Sequence, residues 1–371
     1  MAGIYIHIPF CRQACVYCDF HFTTSPLYRK EVVDAICREL QQRKNYLGSV
    51  LIDTLYFGGG TPSQLSDTEL GQILEVVFSE YEFTDLPEVT LEANPDDLSD
   101  EYLRFLKSAG INRLSIGVQS FFEADLRFMN RAHSANQAVT SVEKAALHGF
   151  NQLSIDLIFG TPGLSDKNWQ LNLEQAANLP VNHLSCYSLT VESGTPLAKN
   201  IRTGKSAGTD EDQSANQFEI LQQFAPDLGF EHYEISNLAR AGNYARHNTA
   251  YWKNVPYLGI GPSAHSFDGV NRRVNVPNNQ SYWRATGDVP HEIEELTAIN
   301  RYNEIVLTGL RTKWGIAKQR VMETGESFSL ELNTNIRPFI ASGEIIETAD
   351  AFLLNRKCWL RADGIASDLM V

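Results

Sequence analysis

Six short β-rich runs, each closed by a turn of Gly, Pro, Asp or Asn and followed by a longer helical stretch, constrain the first half of this 371-residue chain. The runs fall at 3–8, 54–57, 88–93, 113–117, 152–159 and 183–189, with helices between them at 26–46, 66–78, 99–109, 135–148 and 167–178. Strands separated by helices pair in parallel, because each helix returns the chain to the end from which the strand began. An open doubly wound sheet satisfies this pattern, and so does a complete or partial barrel. Six units fall short of the closed eight. In either architecture ligands gather at the C-terminal ends of the strands, so function is expected in the residues just after each run.

From about residue 203 the alternation stops. A helix is expected at 210–224 and a strand at 230–235, followed by an irregular stretch rich in Asn, Tyr, Trp and Gly to about 290. A helix at 292–310 and a small helical segment with a hairpin then reach the end. The chain divides on this basis into a core at 1–230, an irregular extension at 231–290 and a small, mostly helical C-terminal domain at 291–371. A net charge of −14 argues against non-specific nucleic-acid binding, which depends on Lys and Arg neutralising phosphates. No apolar run approaches the roughly 18 residues of a membrane span, so an integral membrane protein is not expected. The first residues lack a basic leader region, which suggests a cytoplasmic protein. Six cysteines in that setting imply thiols and metal ligation rather than a disulfide framework. Cys37, Cys186 and Cys358 are far apart and read as buried thiols.

Cys11, Cys15 and Cys18 stand together directly after the first run, with no fourth cysteine following. An iron-sulfur cubane held by three thiolates keeps one iron open to an exogenous ligand. A structural zinc site would take a fourth ligand such as His7 or His21, and unligated thiols are the bland alternative. After the second run comes Gly58-Gly59-Gly60-Thr61-Pro62, whose backbone can approach a ligand closely and offer N–H groups to a carboxylate. Glu92, Gln119 and Asp156 close or occupy the next three runs. A carboxylate set in an apolar strand must be paired or bound, and such residues at successive strand ends describe a ligand-binding mouth.

The Cys-x3-Cys-x2-Cys loop at the end of the first strand resembles the signature of the radical S-adenosylmethionine superfamily. Tyr5-Ile6-His7-Ile8-Pro9-Phe10-Cys11, with Asn130-Arg131-Ala132-His133, resembles its coproporphyrinogen-oxidase-like branch over nearly the whole chain. The resemblance implies a partial (β/α)6 TIM-like barrel with a small helical C-terminal domain. It implies a [4Fe-4S] cluster on Cys11, Cys15 and Cys18, with S-adenosylmethionine chelating the fourth iron. Tyr5, Tyr17, Gly59, Gly60, Thr61, Glu92, Gln119, Arg131 and Asp156 would line the S-adenosylmethionine sites. A homodimer and an electron donor such as a flavodoxin or ferredoxin are further implications.

Two kinds of protein share that branch. The oxygen-independent coproporphyrinogen III oxidase, a radical decarboxylase of porphyrin biosynthesis, has a further cysteine two positions after the third ligand, where this chain has Phe20. The heme chaperones of the branch have Cys-Asp-Phe there, and Arg246-His247-Asn248-Thr249-Ala250-Tyr251-Trp252 matches their His-Asn-x-x-Tyr-Trp motif. Imidazole is a standard heme ligand, and aromatic rings suit a flat macrocycle. His247, Tyr251, Trp252 and, secondarily, His265 are therefore heme-binding candidates. The expected function is a heme chaperone that holds the cluster, S-adenosylmethionine and heme and delivers heme to acceptor hemoproteins; the oxidase is the alternative. Glu304 and Leu310, on the helix expected at 292–310, and Arg311 at its end receive no role.

Overall fold

The computed structural model describes residues 1–240 and 242–371. The six runs form β1 (Ala2–Ile8), β2 (Ile52–Gly59), β3 (Phe83–Ala93), β4 (Arg113–Gln119), β5 (Gln152–Phe159) and β6 (His183–Ser188), paired in parallel in chain order. The connecting helices are α1 (Arg29–Gln42), α2 (Asp67–Glu80), α3 (Asp100–Ser108), α4 (Glu123–Phe128), α5 (Ala135–Leu147) and α6 (Asp166–Asn178). Several begin on a residue that explains the boundary: the hydroxyls of Ser66, Ser99, Ser134 and Ser165 accept the N–H three residues on, satisfying a donor that has no partner inside the helix.

Along the strands the side chains alternate in character. Ile4, Ile6, Ile8, Leu55, Phe57, Leu91, Leu114, Ile116, Ile155 and Leu157 are completely buried and belong to the main core. The intervening positions are polar or small: Gly3, Tyr5 and His7 on β1, Thr54, Tyr56 and Gly58 on β2, Arg113, Ser115 and Gly117 on β4. With a strand period of two, the apolar set packs beneath the helices and the polar set forms the other face.

After β6 come α7 (Pro196–Arg202) and α8 (Glu211–Asp227), then β7 (Glu231–Glu234), β8 (Asn237–Ala239), α9 (Arg246–Trp252), β9 (Tyr257–Ile260), β10 (His265–Phe267), β11 (Asn271–Asn275), α10 (Asn279–Arg284) and β12 (His291–Glu295). The stretch expected to be irregular thus extends the sheet at both ends, giving the order β12-β11-β10-β9-β1-β2-β3-β4-β5-β6-β8-β7. β7 is the strand expected at 230–235; β8 to β11, of three to five residues, are too short to show an alternation and are strands because β1 and β6 present open edges. Residues 291–295 differ from the expected helix for a similar reason. β12 pairs antiparallel with β11, and Arg272 donates to Glu294 at 3.1 Å, so a cross-strand partner overrides the helical preference of a Glu-rich run.

The remaining elements are α11 (Ala298–Leu310), β13 (Ile316–Ala317), α12 (Lys318–Thr324), α13 (Glu326–Asn335), α14 (Arg337–Ala341), β14 (Ile345–Glu347), β15 (Ala351–Leu354) and α15 (Ala362–Leu369), with a three-stranded sheet β13-β15-β14. The junction to this unit is bonded to β7: the Ile235 N–H donates to Arg311 O at 3.0 Å and the Lys313 N–H to Tyr233 O at 2.9 Å. No helix among the described residues is long and apolar enough to cross a membrane.

One buried carboxylate ties α1 to the later strands. Glu39 accepts from Arg43 at 3.0 Å, Asn275 at 2.8 Å, the Tyr282 hydroxyl at 2.7 Å and the Gly261 N–H at 2.9 Å. Removing it leaves the buried Arg43 guanidinium without its counter-charge. Glu39→Ala is expected to lower stability by about 3–5 kcal/mol in equilibrium denaturant unfolding, and a loss under about 1 kcal/mol would show that the network is not structural.

Candidate functional site

The cysteine loop leaves β1 at its C-terminal end and is closed at its base, where the Cys11 N–H donates to Thr23 O at 3.0 Å and the Thr23 N–H to Pro9 O at 2.8 Å. Cys11, Cys15 and Cys18 are free, half-buried and share the wall of one cavity of about 1070 Å3. Thr61 donates to Cys11 Sγ at 3.2 Å, and Arg131 Nη1 to Cys15 Sγ at 3.3 Å. No three His, Cys, Asp or Glu side chains among the described residues converge on a single-ion site. His7 and His21 are also engaged: His7 Nε2 lies 2.8 Å from His21 O, and His21 Nε2 lies 2.7 Å from Asn279 Oδ1. Three thiolates on one wall match a cluster, in which each thiolate takes a different iron.

Asp97 joins the loops of the first three strands. It accepts from Ser63 at 2.7 Å and Gln64 at 2.6 Å, both just past the glycine run, and from Arg12 of the cysteine loop at 2.9 Å. At Gly59, φ is 108°, and a Cβ would lie 2.7 Å from the His7 ring, so only glycine lets this loop fold over β1. Gln119 has φ 68° at a break in the β4–β5 register, a strained backbone position of the kind that clusters at binding sites.

Glu92 and Asp156 face the same cavity from β3 and β5. Burial pushes Glu92 up to about 7, against a hydrogen bond from the Tyr56 hydroxyl at 2.7 Å, while the Asp156 charge raises it further. Burial likewise pushes Asp156 up to about 6, opposed by bonds from Ser185 and Ser115. Arg131 lies in the connection between α4 and α5 rather than on a solvated helix. Its Nη2 donates to Asn94 Oδ1 and to Gly117 O, each at 2.7 Å. A Cβ on Gly117 would come within 3.1 Å of Arg131 Nη2, so that position must stay small.

The structure therefore brings Tyr17, Gly59, Gly60, Thr61, Glu92, Gln119, Arg131 and Asp156 to the wall that the three cysteines occupy. It does not bring Tyr5 there: that ring sits deeper, stacked on Tyr56 at 6.1 Å, with its hydroxyl 3.2 Å from His7 Nδ1. Asn94 and Tyr56 were missed, although a period of two places Asn94 on the same face as Glu92. Arg311 and Trp359 also line the cavity, and nothing local in the sequence signals it.

The heme-binding candidates lie elsewhere. His247 is 2% exposed, and burial lowers its pKa to about 3. Its Nδ1 is 2.7 Å from Thr54 Oγ1 and its Nε2 is 2.8 Å from the Tyr251 hydroxyl, while its ring stacks on Tyr56 at 5.0 Å. Glu88 accepts the N–H groups of Arg246 and His247 at 3.1 and 3.0 Å, putting a carboxylate on the positive end of α9. Thr54 stands near the start of β2, so His247 sits toward the end of the barrel opposite the cysteines. Trp252 lies under the Arg311 guanidinium, 5.8 Å from ring centre to carbon. His265 is exposed on β10 and outside the cavity wall.

Residues 5–176 match the Radical SAM superfamily model, and residues 296–361 match the HemN C-terminal domain model. A parallel barrel with this cysteine loop is thus a radical S-adenosylmethionine protein fold, and that superfamily implies a [4Fe-4S] cluster and S-adenosylmethionine. Heme chaperone HemW of Bacillus subtilis is 36% identical over 330 residues, covering 87% of this chain and 86% of that protein. Heme chaperone HemW of Mycobacterium tuberculosis H37Rv is 35% identical over 99% of this chain and 94% of its own length. The chain belongs to the HemW family. Among solved structures, coproporphyrinogen III oxidase HemN from Escherichia coli superposes with a TM-score of 0.85 over 100% of this chain and 90% of that one; at 20% identity this shows the fold alone.

The raised carboxylates give a signed pH dependence. Between their ordinary values of 3.8 to 4.5 and about 7, Glu92 and Asp156 keep protons in the folded protein that the unfolded chain has released. Their contribution to stability therefore falls as pH rises through that interval and is constant above it. In the ligand-free protein, the stability of Glu92→Gln/Asp156→Asn relative to wild type is expected to increase from pH 4 to 7 in thermal unfolding. A difference independent of pH would show that the two groups titrate normally.

Proposed function

We propose that this protein is a heme chaperone that holds a [4Fe-4S] cluster, S-adenosylmethionine and heme and passes heme to acceptor hemoproteins. The observation that carries it is Phe20, 67% exposed at the cavity wall two positions after Cys18, where an oxidase of this branch has a cysteine. The relatives from Bacillus subtilis and Mycobacterium tuberculosis, which span most of the chain and are named heme chaperones, support the same assignment.

In this proposal Cys11, Cys15 and Cys18 hold the cluster as thiolates. When bound, the cluster supplies single-electron chemistry at an iron open to an exogenous ligand. Arg131 opposes the charge of the thiolates through its bond to Cys15. Glu92 offers an acceptor to a ligand ammonium, and its elevated pKa makes it a group whose ionisation such a cation would favour. The glycine run keeps the cavity wall low enough for close approach. A flavodoxin or ferredoxin as electron donor, and a homodimer, belong to the same proposal.

The His247 to Trp252 motif is assigned to heme uptake. Because both ring nitrogens of His247 are hydrogen-bonded, this side chain fixes α9, and with it Trp252, against the barrel. Heme titration of cluster-reconstituted protein, followed by absorption, is expected to show saturable uptake, weakened about ten-fold or more in His247→Ala. Absence of uptake by the wild type, or unchanged affinity in the variant, would reject this assignment. Cys11→Ala, Cys15→Ala and Cys18→Ala are each expected to lose the reconstituted iron and its visible absorption, and retention of a full cluster in any of them would remove that cysteine from the ligand set.

A further inference from the structure

The cavity that begins at the cysteine loop does not end at Asp156. It continues past β6 to a lobe walled by Phe218 of α8, Ile235, and Trp359 and Leu360 of the C-terminal unit, with Arg311 at its margin. At about 1070 Å3 the whole cavity is at the upper end of the range for small-molecule sites, roughly 300–1,000 Å3, which leaves room beyond a single nucleoside-sized ligand. The near part carries the cysteines, the glycines and Glu92, and the far lobe combines aromatic and aliphatic side chains with one arginine and the carboxylates of Glu211 and Asp363.

That cation is incompletely used. Arg311 Nε is buried without a hydrogen-bond partner. Its Nη1 pairs with Asp363, whose side chain is 67% exposed, a contact that solvent screens and an incoming anion can displace. Its guanidinium is backed by the Trp252 ring. Arg131 and Arg311 are the only cations among the cavity-lining residues, and Arg131 is already bonded to Cys15, Asn94 and Gly117. Glu192 and Glu211 on the same wall repel anions, so a carboxylate entering the lobe has one favourable destination.

Resting on the heme-handling assignment above, we propose that the far lobe is the seat of the tetrapyrrole, with a propionate carboxylate held by Arg311 and the macrocycle lying against Phe218, Ile235 and Trp359. An arginine fork donates two N–H bonds to a carboxylate, the arrangement a propionate would take on the Arg311 guanidinium at the cavity margin. The His-Asn-x-x-Tyr-Trp motif then acts through Trp252: His247 anchors α9 inside the barrel, and Trp252 at the other end of the helix supports the carboxylate-binding guanidinium. A ligand seated here touches both the barrel and the C-terminal unit, which explains why a domain without cysteines of the cluster loop closes this side of the cavity.

The test is titration of the full-length, cluster-reconstituted protein with heme and, separately, with heme dimethyl ester, whose propionates carry no charge. Wild type is expected to bind heme about ten-fold or more tightly than the ester. Arg311→Ala is expected to lose that preference while its iron content and S-adenosylmethionine affinity stay at wild-type levels, and Arg311→Lys is expected to retain part of it. Equal affinity of wild type for heme and its ester, or an undiminished preference in a folded Arg311→Ala, overturns the lobe while leaving heme binding standing. No uptake of either compound by wild type overturns the heme assignment itself. The ester comparison uses only the wild type, so it decides the question even where the variants do not fold.

Discussion

Everything at the cysteine end of this molecule depends on a parallel sheet whose two faces are chemically opposite. One face is a continuous layer of Ile, Leu and Phe under the helices, and the other carries Tyr, Thr, Ser, Arg, Glu and Asp into the barrel. Burying the second set is costly unless each group finds a partner. Many do: Tyr56 with Glu92, Ser154 with His183, Thr54 with His247. For Glu92 and Asp156 burial outweighs the bonds they accept, so both face the cavity with elevated pKa values. Parallel pairing supplies the geometry, since it delivers the ends of β1 to β6 to one mouth.

A second level of organisation holds the loops at that mouth in register. From its place after β3, Asp97 collects bonds from the cysteine loop and from the turn after β2. Arg131 does the equivalent work between the cysteine loop and the ends of β3 and β4. These two residues carry opposite charge and stand on opposite flanks of the loop. The loop that carries the three thiols is therefore held by contacts that cross four strand ends as well as by its own turn, in which the Cys18 N–H donates to Cys15 O.

His247 and the cluster cysteines are at opposite ends of the barrel, joined by stacked rings. His247 stacks on Tyr56, Tyr56 stacks on Tyr5, and the Tyr56 hydroxyl reaches Glu92. A motif that reads as a ligand in one dimension is, in three, a helix pinned by Thr54 and Glu88 with its tryptophan turned toward the second domain.

The six βα units, the cysteine loop and the strand-end residues Gly59, Glu92 and Asp156 were legible in the chain, because strand period, turn chemistry and the rule that ligands meet at strand C-termini are local statements. Phe20 in place of a cysteine was equally plain. The strand at 230–235 was legible as well, but the short strands β8 to β11 were not, since three to five residues carry too little pattern and their pairing is decided by the open edges of β1 and β6. Arg131 was placed at the site by the resemblance alone, and its bonds to Asn94 and Gly117 are contacts that only the fold supplies. His247 looked available until the fold buried it. Residue type and spacing thus determined which chemistry this chain carries. Which groups are free to perform it was decided only by tertiary packing, because burial, hydrogen-bond satisfaction and the long-range meeting of Arg311 with Trp252 depend on neighbours that no local window contains.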